Sequence, residues 1–327
     1  MNRGEPATAP IFPDVSINLA KREDPVLARV VSNDSCMRGK SASFVNHLVL
    51  DISDTPMAGR LVAGQAFGVL APGTDSQGRP HKIRLYSNAS PGWGEDGAGT
   101  QISTTPKRLI DEVDADLTDA LAARSLFLGV CSNYLCDLQV GDEVRITGPS
   151  GKRFVLPENR EAFNYLFLAT GTGVAPFRGM LLELLNPPNG ARVPSRIDLV
   201  MGTPYTTDLL YDDLFQRLAS EHENFHYHTA ISREPQPGSD RGIYVDGLIE
   251  REFDTFSPAL GDANTLMYVC GLESMRYSVA RLLVRHQLGQ QFFRIDEQLR
   301  EKPFEAWSDA DIRKYMKPGK RCYLEVY

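Results

Sequence analysis

The run Arg84-Leu85-Tyr86-Ser87 places a guanidinium, a phenol ring and a small hydroxyl within four residues. On a strand, Arg84 and Tyr86 share one face. A planar fork for phosphate oxygens then lies beside a flat ring, with the Ser87 hydroxyl next in line. That set suits a planar cofactor with a phosphate tail, although a surface arginine and a half-buried tyrosine on any strand give the same letters. A second run, GTGVAPFR (171–178), lies between an apolar stretch and a helical repeat. Gly171 and Gly173 permit a tight turn and close backbone approach. Pro176 suits a first helical turn, where its missing N–H costs nothing. The exposed amides and the helix dipole make an anion site. A glycine-rich strand-to-helix turn with no ligand reads the same way. A third run, GVCSNYLCDL (129–138), sets the small residues Gly129 to Ser132 before a short helix-like segment, a second candidate anion site. Cys131 and Cys136 have no further Cys or His nearby, so packing accounts for them better than a metal does.

Three further places carry polar chemistry. SREPQPGSDRGIY (232–244) offers Ser232, Arg233 and Tyr244 at and after a strand end. In a dinucleotide-binding domain, a hydroxyl, a guanidinium and a ring suit a 2′-phosphate and its adenine, and no acidic residue takes the place that would favour NAD. A polar loop is the alternative. CGLESM (270–275) puts Cys270 at the end of an apolar strand, where it would face the ligand crevice of such a sheet or serve as a small hydrophobe. Tyr327 ends the chain in EVY, where an aromatic residue can simply pack or fray.

The elements that must hold these residues fall into two halves. VLARVV (26–31), NHLVLDI (46–52), QAFGVLA (65–71), KIRLYS (82–87), QISTTPKRLI (101–110) and EVRITG (143–148) read as short strands separated by turn residues, with a short helix over 114–125. This spacing predicts an all-β antiparallel barrel or sandwich. Beyond Pro157 the pattern changes. NYLFLA (164–169), RIDLVMG (196–202), FHYHTAIS (225–232) and TLMYVCG (265–271) are runs of strands, mostly buried on both faces. Helical patterns alternate with them, over about 208–220, 243–253 and 274–288. Ser308 with Asp311 reads as a capping box, and RCYLEVY (321–327) as a last strand. Alternation of this kind predicts an α/β doubly wound, Rossmann-like parallel sheet. The expected organisation is an extension over 1–24, a barrel over 25–157 and the α/β domain over 158–327.

The 327 residues are 42% hydrophobic and 24% charged, a globular composition. A net charge of −7 argues against nucleic acid as the main partner. Five cysteines are an odd number, which fits a reducing compartment without structural disulfides. No apolar run reaches the roughly 20 residues of a membrane helix, and the N-terminus lacks the apolar core of a signal peptide. The expectation is a cytoplasmic protein with no transmembrane segment and no metal site.

Taken together, GQAFGVLAPG (64–73), RLYS (84–87), KRLI (107–110), GVCSNYLCDL (129–138), TGTGVAPFRGML (170–181), GTPYTTDLLYDDLF (202–215), SRE (232–234), MYVCGLESM (267–275) and EVY (325–327) resemble the plant-type ferredoxin–NADP⁺ reductase family, in order across most of the chain. The resemblance implies FAD on the barrel, held by Arg84, Leu85, Tyr86, Ser87, Gly129, Val130, Cys131 and Ser132, with Tyr86 on one flavin face and Tyr327 on the other. It implies catalytic roles for Ser87, Cys270, Glu325 and Tyr327 around the site of hydride transfer. For NADP(H) it implies Lys107, Thr170, Gly171, Thr172, Gly173, Pro176, Gly202, Thr203, Ser232, Arg233, Arg241, Tyr244, Cys270, Gly271 and Leu272. The partner would be ferredoxin or flavodoxin, an acidic one-electron carrier. Two positions depart from the family. Gly242 stands where a lysine is usual, with Arg241 one residue earlier, and Asp111 stands where many relatives stack a tyrosine on the FAD adenine. The reductase component of a multicomponent oxygenase is similar in several motifs and is the alternative. A nucleotide-binding module without turnover would not need RLYS and EVY.

Overall fold

The computed structural model describes residues 8–39, 41, 43–112, 126–236 and 240–327, so the helix expected over 114–125 lies outside the described residues. The chain divides into two compact units. One is Val15–Lys152; the other joins the segment ending at Asp14 to Arg153–Tyr327.

The first unit contains β1 (Val26–Ser35), β2 (Asn46–Asp51), β3 (Ala66–Leu70), β4 (Arg84–Ser87), β5 (Gln101–Thr104), β6 (Ile110–Glu112), β7 (Leu126–Leu128), the helix α1 (Val130–Asp137) and β8 (Glu143–Ser150). Six strands form an antiparallel sheet in the order β4-β3-β8-β1-β2-β5, and β6 pairs with β7. Its two edges meet. The Ala89 amide donates to the Ser103 carbonyl, and Thr104 Oγ1 donates to the Ser87 carbonyl, both at 2.8 Å. These bonds turn the sheet into a barrel and remove its open edges. Leu48 and Leu50, Phe67 and Val69, and Val144 and Ile146 point inward at every second position and are fully buried. The strand expected over 101–110 stops at Thr104. Pro106 has no amide to donate; its carbonyl accepts from Asn46 at 3.1 Å, an isolated bridge joins Lys107 to Val45, and the next strand starts only at Ile110.

The second unit is built on a parallel sheet of β9 (Asn164–Thr170), β10 (Ile197–Thr203), β11 (Phe225–Ile231), β12 (Thr265–Gly271) and, as its fifth strand, Cys322–Val326. With β13 (Phe293–Ile295) and β14 (Met316–Pro318) forming a separate antiparallel pair, the C-terminal strand is β15. The sheet order is β11-β10-β9-β12-β15. Both faces are apolar, as the continuous runs require. Leu166, Leu168, Val200, Met267 and Val269 share a core with α4 (Val245–Arg251), α5 (Phe253–Gly261) and α6 (Glu273–Arg285). On the other face, the Phe167 ring lies 4.9 Å from Phe177 of α2 (Ala175–Leu185). Tyr227 lies 5.4 Å from Phe215 of α3 (Asp212–Glu221). Helices on both faces make the sheet doubly wound. The helix expected over 243–253 is two helices, with Glu252 between them. From β9 the chain runs outward to β10 and β11, then returns to β12 on the other side. The crevice at the C-terminal ends of β9 and β12 is therefore the topological switch point, where ligands of open α/β sheets bind.

Candidate cofactor sites

At the switch point, β9 ends at Thr170, a tight turn runs over Gly171–Val174, and α2 starts at Ala175 with Pro176 in its first turn. The turn lies directly on the end of β12. A Cβ on Gly173 would sit 2.2 Å from the Cys270 carbonyl oxygen, and one on Gly271 would sit 2.1 Å from Thr170 Oγ1. Leu272 donates its amide to Thr170 Oγ1 at 2.7 Å. Only glycine allows the two strand ends to interlock this closely. The interlock brings the amides of 171–174 to the crevice, beside the N-terminus of an eleven-residue helix.

The chain terminus closes on the same place. The Tyr327 amide donates to the Gly271 carbonyl at 3.0 Å, and its own carbonyl accepts from Glu273 at 3.2 Å. Its hydroxyl pairs with Thr172 Oγ1 at 2.8 Å, while the side chain stays exposed. Thr170, Gly171, Thr172, Gly173, Pro176, Cys270, Gly271, Leu272 and Tyr327 thus form one cluster. Cys270 is buried in the strand and pairs in register with Glu325 of β15. Burial pushes the Glu325 carboxyl from an ordinary 4.5 up to about 7. A raised carboxyl binds its proton more tightly in the folded state. Its stabilising contribution is complete below pH 4.5 and is lost as pH rises to 7. Thermal melts from pH 4.5 to 8 should show Glu325→Gln gaining stability relative to the parent as pH rises. A difference that does not change with pH would contradict this assignment.

A second cluster stands at the ends of β10 and β11. The Ser232 amide donates to the Thr203 carbonyl and the Arg233 amide to the Pro204 carbonyl, both at 2.9 Å. The exposed Arg233 guanidinium lies 6.0 Å from the centre of the Tyr205 ring. The Ile243 amide donates to Ile231 at 2.8 Å, which returns Arg241, Gly242 and the 71% exposed Tyr244 to this place. A Cβ on Gly242 would meet the Ser232 carbonyl oxygen at 2.2 Å. The backbone contact leaves no room for a side chain at this position, and the neighbouring Arg241 is exposed. Gly202 lies against Val245, with only 2.7 Å between a built Cβ and the Val245 side chain, so helix packing explains it. Sequence reasoning missed Tyr205 and the pairing of Glu234 with Thr206; both lie in quoted motifs, but nothing in their spacing marks them as partners.

In the barrel unit, β4 and the first turn of α1 come together. The Tyr86 phenol and the Cys131 thiol act on each other, and the Arg84 charge acts on the same thiol. Burial raises both the Tyr86 phenol and the Cys131 thiol above their ordinary values. Tyr86 and Ser87 are half-buried, while Arg84 and Leu85 are exposed. The start of α1 is fixed from behind. The Gly129 amide donates to the Leu109 carbonyl at 2.9 Å, the Leu109 amide donates to Ser132 Oγ at 3.3 Å, and Arg108 reaches Asn133 at 2.9 Å. A Cβ on Gly129 would sit 2.8 Å from Ser132 Oγ. A guanidinium, a half-buried aromatic ring and a small-residue helix start suit a planar ring system with a pyrophosphate tail, so these residues fit a flavin dinucleotide. Val130 is exposed beside them, and Lys107 is exposed on the same unit. The Asp111 side chain lies outside the described residues. All five cysteines are free, and among the described residues no group of three or more side chains could hold a metal ion. Nor is any helix of the described residues long and apolar enough to cross a membrane.

Residues 167–281 match the family model of the oxidoreductase NAD-binding domain. Over 96% of its length the chain is 32% identical to a ferredoxin–NADP reductase of Picosynechococcus, spanning 72% of that relative. Over 80% of its length it is 34% identical to a ferredoxin–NADP reductase of Spirulina, spanning 86% of it. The solved ferredoxin-NADP⁺ reductase of Plasmodium falciparum shares the fold, with a TM-score of 0.67 at 22% identity, over 95% of this chain and 99% of that one. The chain belongs to the ferredoxin–NADP reductase family.

Proposed function

We propose that this chain is an FAD-dependent reductase that exchanges a hydride with NADP(H) and single electrons with ferredoxin or flavodoxin. The observation that carries the reading is the pair of sites in one chain of this family: the Arg84–Tyr86–Cys131 cluster on the barrel, and the switch-point crevice with its terminal tyrosine on the α/β unit. Bound FAD supplies a centre that takes two electrons as hydride and passes them singly, which links nicotinamide to a one-electron carrier.

The residues supply binding and orientation. Arg84 and the α1 start with Gly129, Val130, Cys131 and Ser132 hold the FAD pyrophosphate, and Leu85, Tyr86 and Ser87 hold its ring. Cys131 stands beside the Tyr86 phenol. On the α/β unit, the amides of 171–174 bind the NADP pyrophosphate, and Thr203, Ser232, Arg233, Arg241 and Tyr244 bind its 2′-phosphoadenosine end. Cys270, Gly271 and Leu272 line the nicotinamide place. Tyr327, bonded to Thr172, rests in that place until nicotinamide displaces it. Glu325, protonated over part of the neutral range, holds a proton near Cys270. A cytoplasmic location belongs to this reading, supported by the five free cysteines. Denaturing the purified protein should release FAD, identified by chromatography. FMN in the extract, or no flavin, would contradict the proposal.

A further inference from the structure

Beside the guanidinium assigned above to the 2′-phosphate stands a carboxylate, Glu234, whose charge is wrong for an anion site. Its geometry explains its presence. One oxygen accepts the Thr206 amide at 3.0 Å, and the other accepts the Thr206 hydroxyl. Thr206 opens the short helical turn Thr206–Asp208 in the loop after β10, whereas Glu234 follows Arg233 in the loop after β11. The two residues are 28 apart in sequence, so the carboxylate ties one strand-end loop to the next. The same two loops carry the other parts of the site. Ser232 and Arg233 are held to Thr203 and Pro204 by main-chain bonds, and the Arg233 guanidinium lies over the Tyr205 ring. Thr203 Oγ1 donates to the Tyr205 carbonyl at 3.0 Å, which steadies the residue beneath the guanidinium. Gly242 packs against the same segment, so closely that a Cβ there would stand 2.2 Å from the Ser232 carbonyl oxygen.

We infer that Glu234 is a positioning residue for recognition of the 2′-phosphate: by bonding both donors of Thr206 it holds Arg233 over Tyr205, in the place where the phosphate meets the guanidinium. The inference rests on the NADP reading above. Arg233 is exposed and has rotamer freedom to lose on binding. A clamp on the residue next to it lowers that cost before the ligand arrives.

The sign of the effect separates a clamp from a neighbouring charge. Removing a bystander carboxylate beside an anion site relieves repulsion, so it would strengthen binding of a phosphate. Removing a clamp weakens it. Isothermal titration of the flavin-loaded protein with 2′-phospho-AMP and with AMP gives a preference ratio for each variant. Glu234→Ala should lower that ratio about tenfold, the scale of one charge-assisted hydrogen bond. Glu234→Gln keeps one acceptor oxygen for the Thr206 amide and offers an N–H that the Thr206 hydroxyl can accept, so both ties survive without the charge and the ratio should return to the parent value or above. Thr206→Val, which removes one of the two donors and leaves the carboxylate in place, should lower it by a smaller factor. Tighter 2′-phospho-AMP binding in both Glu234 variants would overturn the proposal, as would an unchanged ratio in Glu234→Ala or an equal loss for both ligands. A parent that binds the two ligands equally would instead overturn the NADP reading, and the proposal with it.

Discussion

Gly173→Ala should weaken binding of NADPH and NADH alike, by roughly five- to a hundredfold, and leave the flavin content unchanged. The alanine methyl would stand 2.2 Å from the Cys270 carbonyl oxygen, a backbone atom that no rotamer change can move aside. The turn over 171–174 must therefore lift from the end of β12, and forced overpacking of this kind costs about 1–3 kcal/mol. At about 1.4 kcal/mol per tenfold, that gives the stated range. Both nucleotides suffer because the amides of this turn serve the pyrophosphate, which they share. Flavin content holds because Arg84, Tyr86 and α1 belong to the barrel unit. Titration of the flavin-loaded variant with each nucleotide measures the effect. Parent-like affinity for both would mean that the turn does not bind the pyrophosphate.

Arg233→Ala should act on NADPH alone. It removes a charge-assisted contact remote from the hydride, so KM for NADPH should rise roughly ten- to a hundredfold while kcat stays near the parent value. NADH lacks the 2′-phosphate, and its kinetics should change little. The two variants form a test in themselves: loss at the crevice is shared by both nucleotides, and loss at the β11 end is confined to one. A fall in kcat with KM unchanged, or equal losses for NADPH and NADH, would remove Arg233 from the 2′-phosphate site.

The parallel sheet was legible because its strands are buried on both faces. Leu168, Val200 and Val269 sit on one face of adjacent strands, and NYLFLA, RIDLVMG and TLMYVCG announce them as unbroken apolar runs. The capping box was equally local. The Ser308 hydroxyl accepts from the Asp311 amide, and the Asp311 carboxylate accepts from the Ser308 amide. Where tertiary pairing decides, the pattern was silent. The three-residue strands β13 and β14 are too short to show a period, and their partners lie far apart in sequence. The break at Pro106 was visible as a residue, but the apolar run on both sides of it read as one strand.

The site divides in the same way. Arg84, Tyr86, Ser232, Arg233 and the 171–176 turn stand out because residue type and local spacing carry their chemistry. The interlock of Gly173 with Cys270, the meeting of Tyr86 with Cys131, and the bonds from Thr206 to Glu234 join residues from different elements. No spacing rule reaches across such distances. The same holds for Gly242. Its departure from the family is visible in the sequence, but the reason for it, the carbonyl of Ser232, appears only in the fold.

The most direct measurement of the central claim is NADPH oxidation by the purified, FAD-loaded protein with ferredoxin as the electron acceptor. The account predicts carrier-dependent turnover with NADPH, much slower turnover with NADH, and reduction of one ferredoxin per electron. A flavin that NADPH does not reduce, or that NADPH reduces without passing electrons to ferredoxin or flavodoxin, would contradict it.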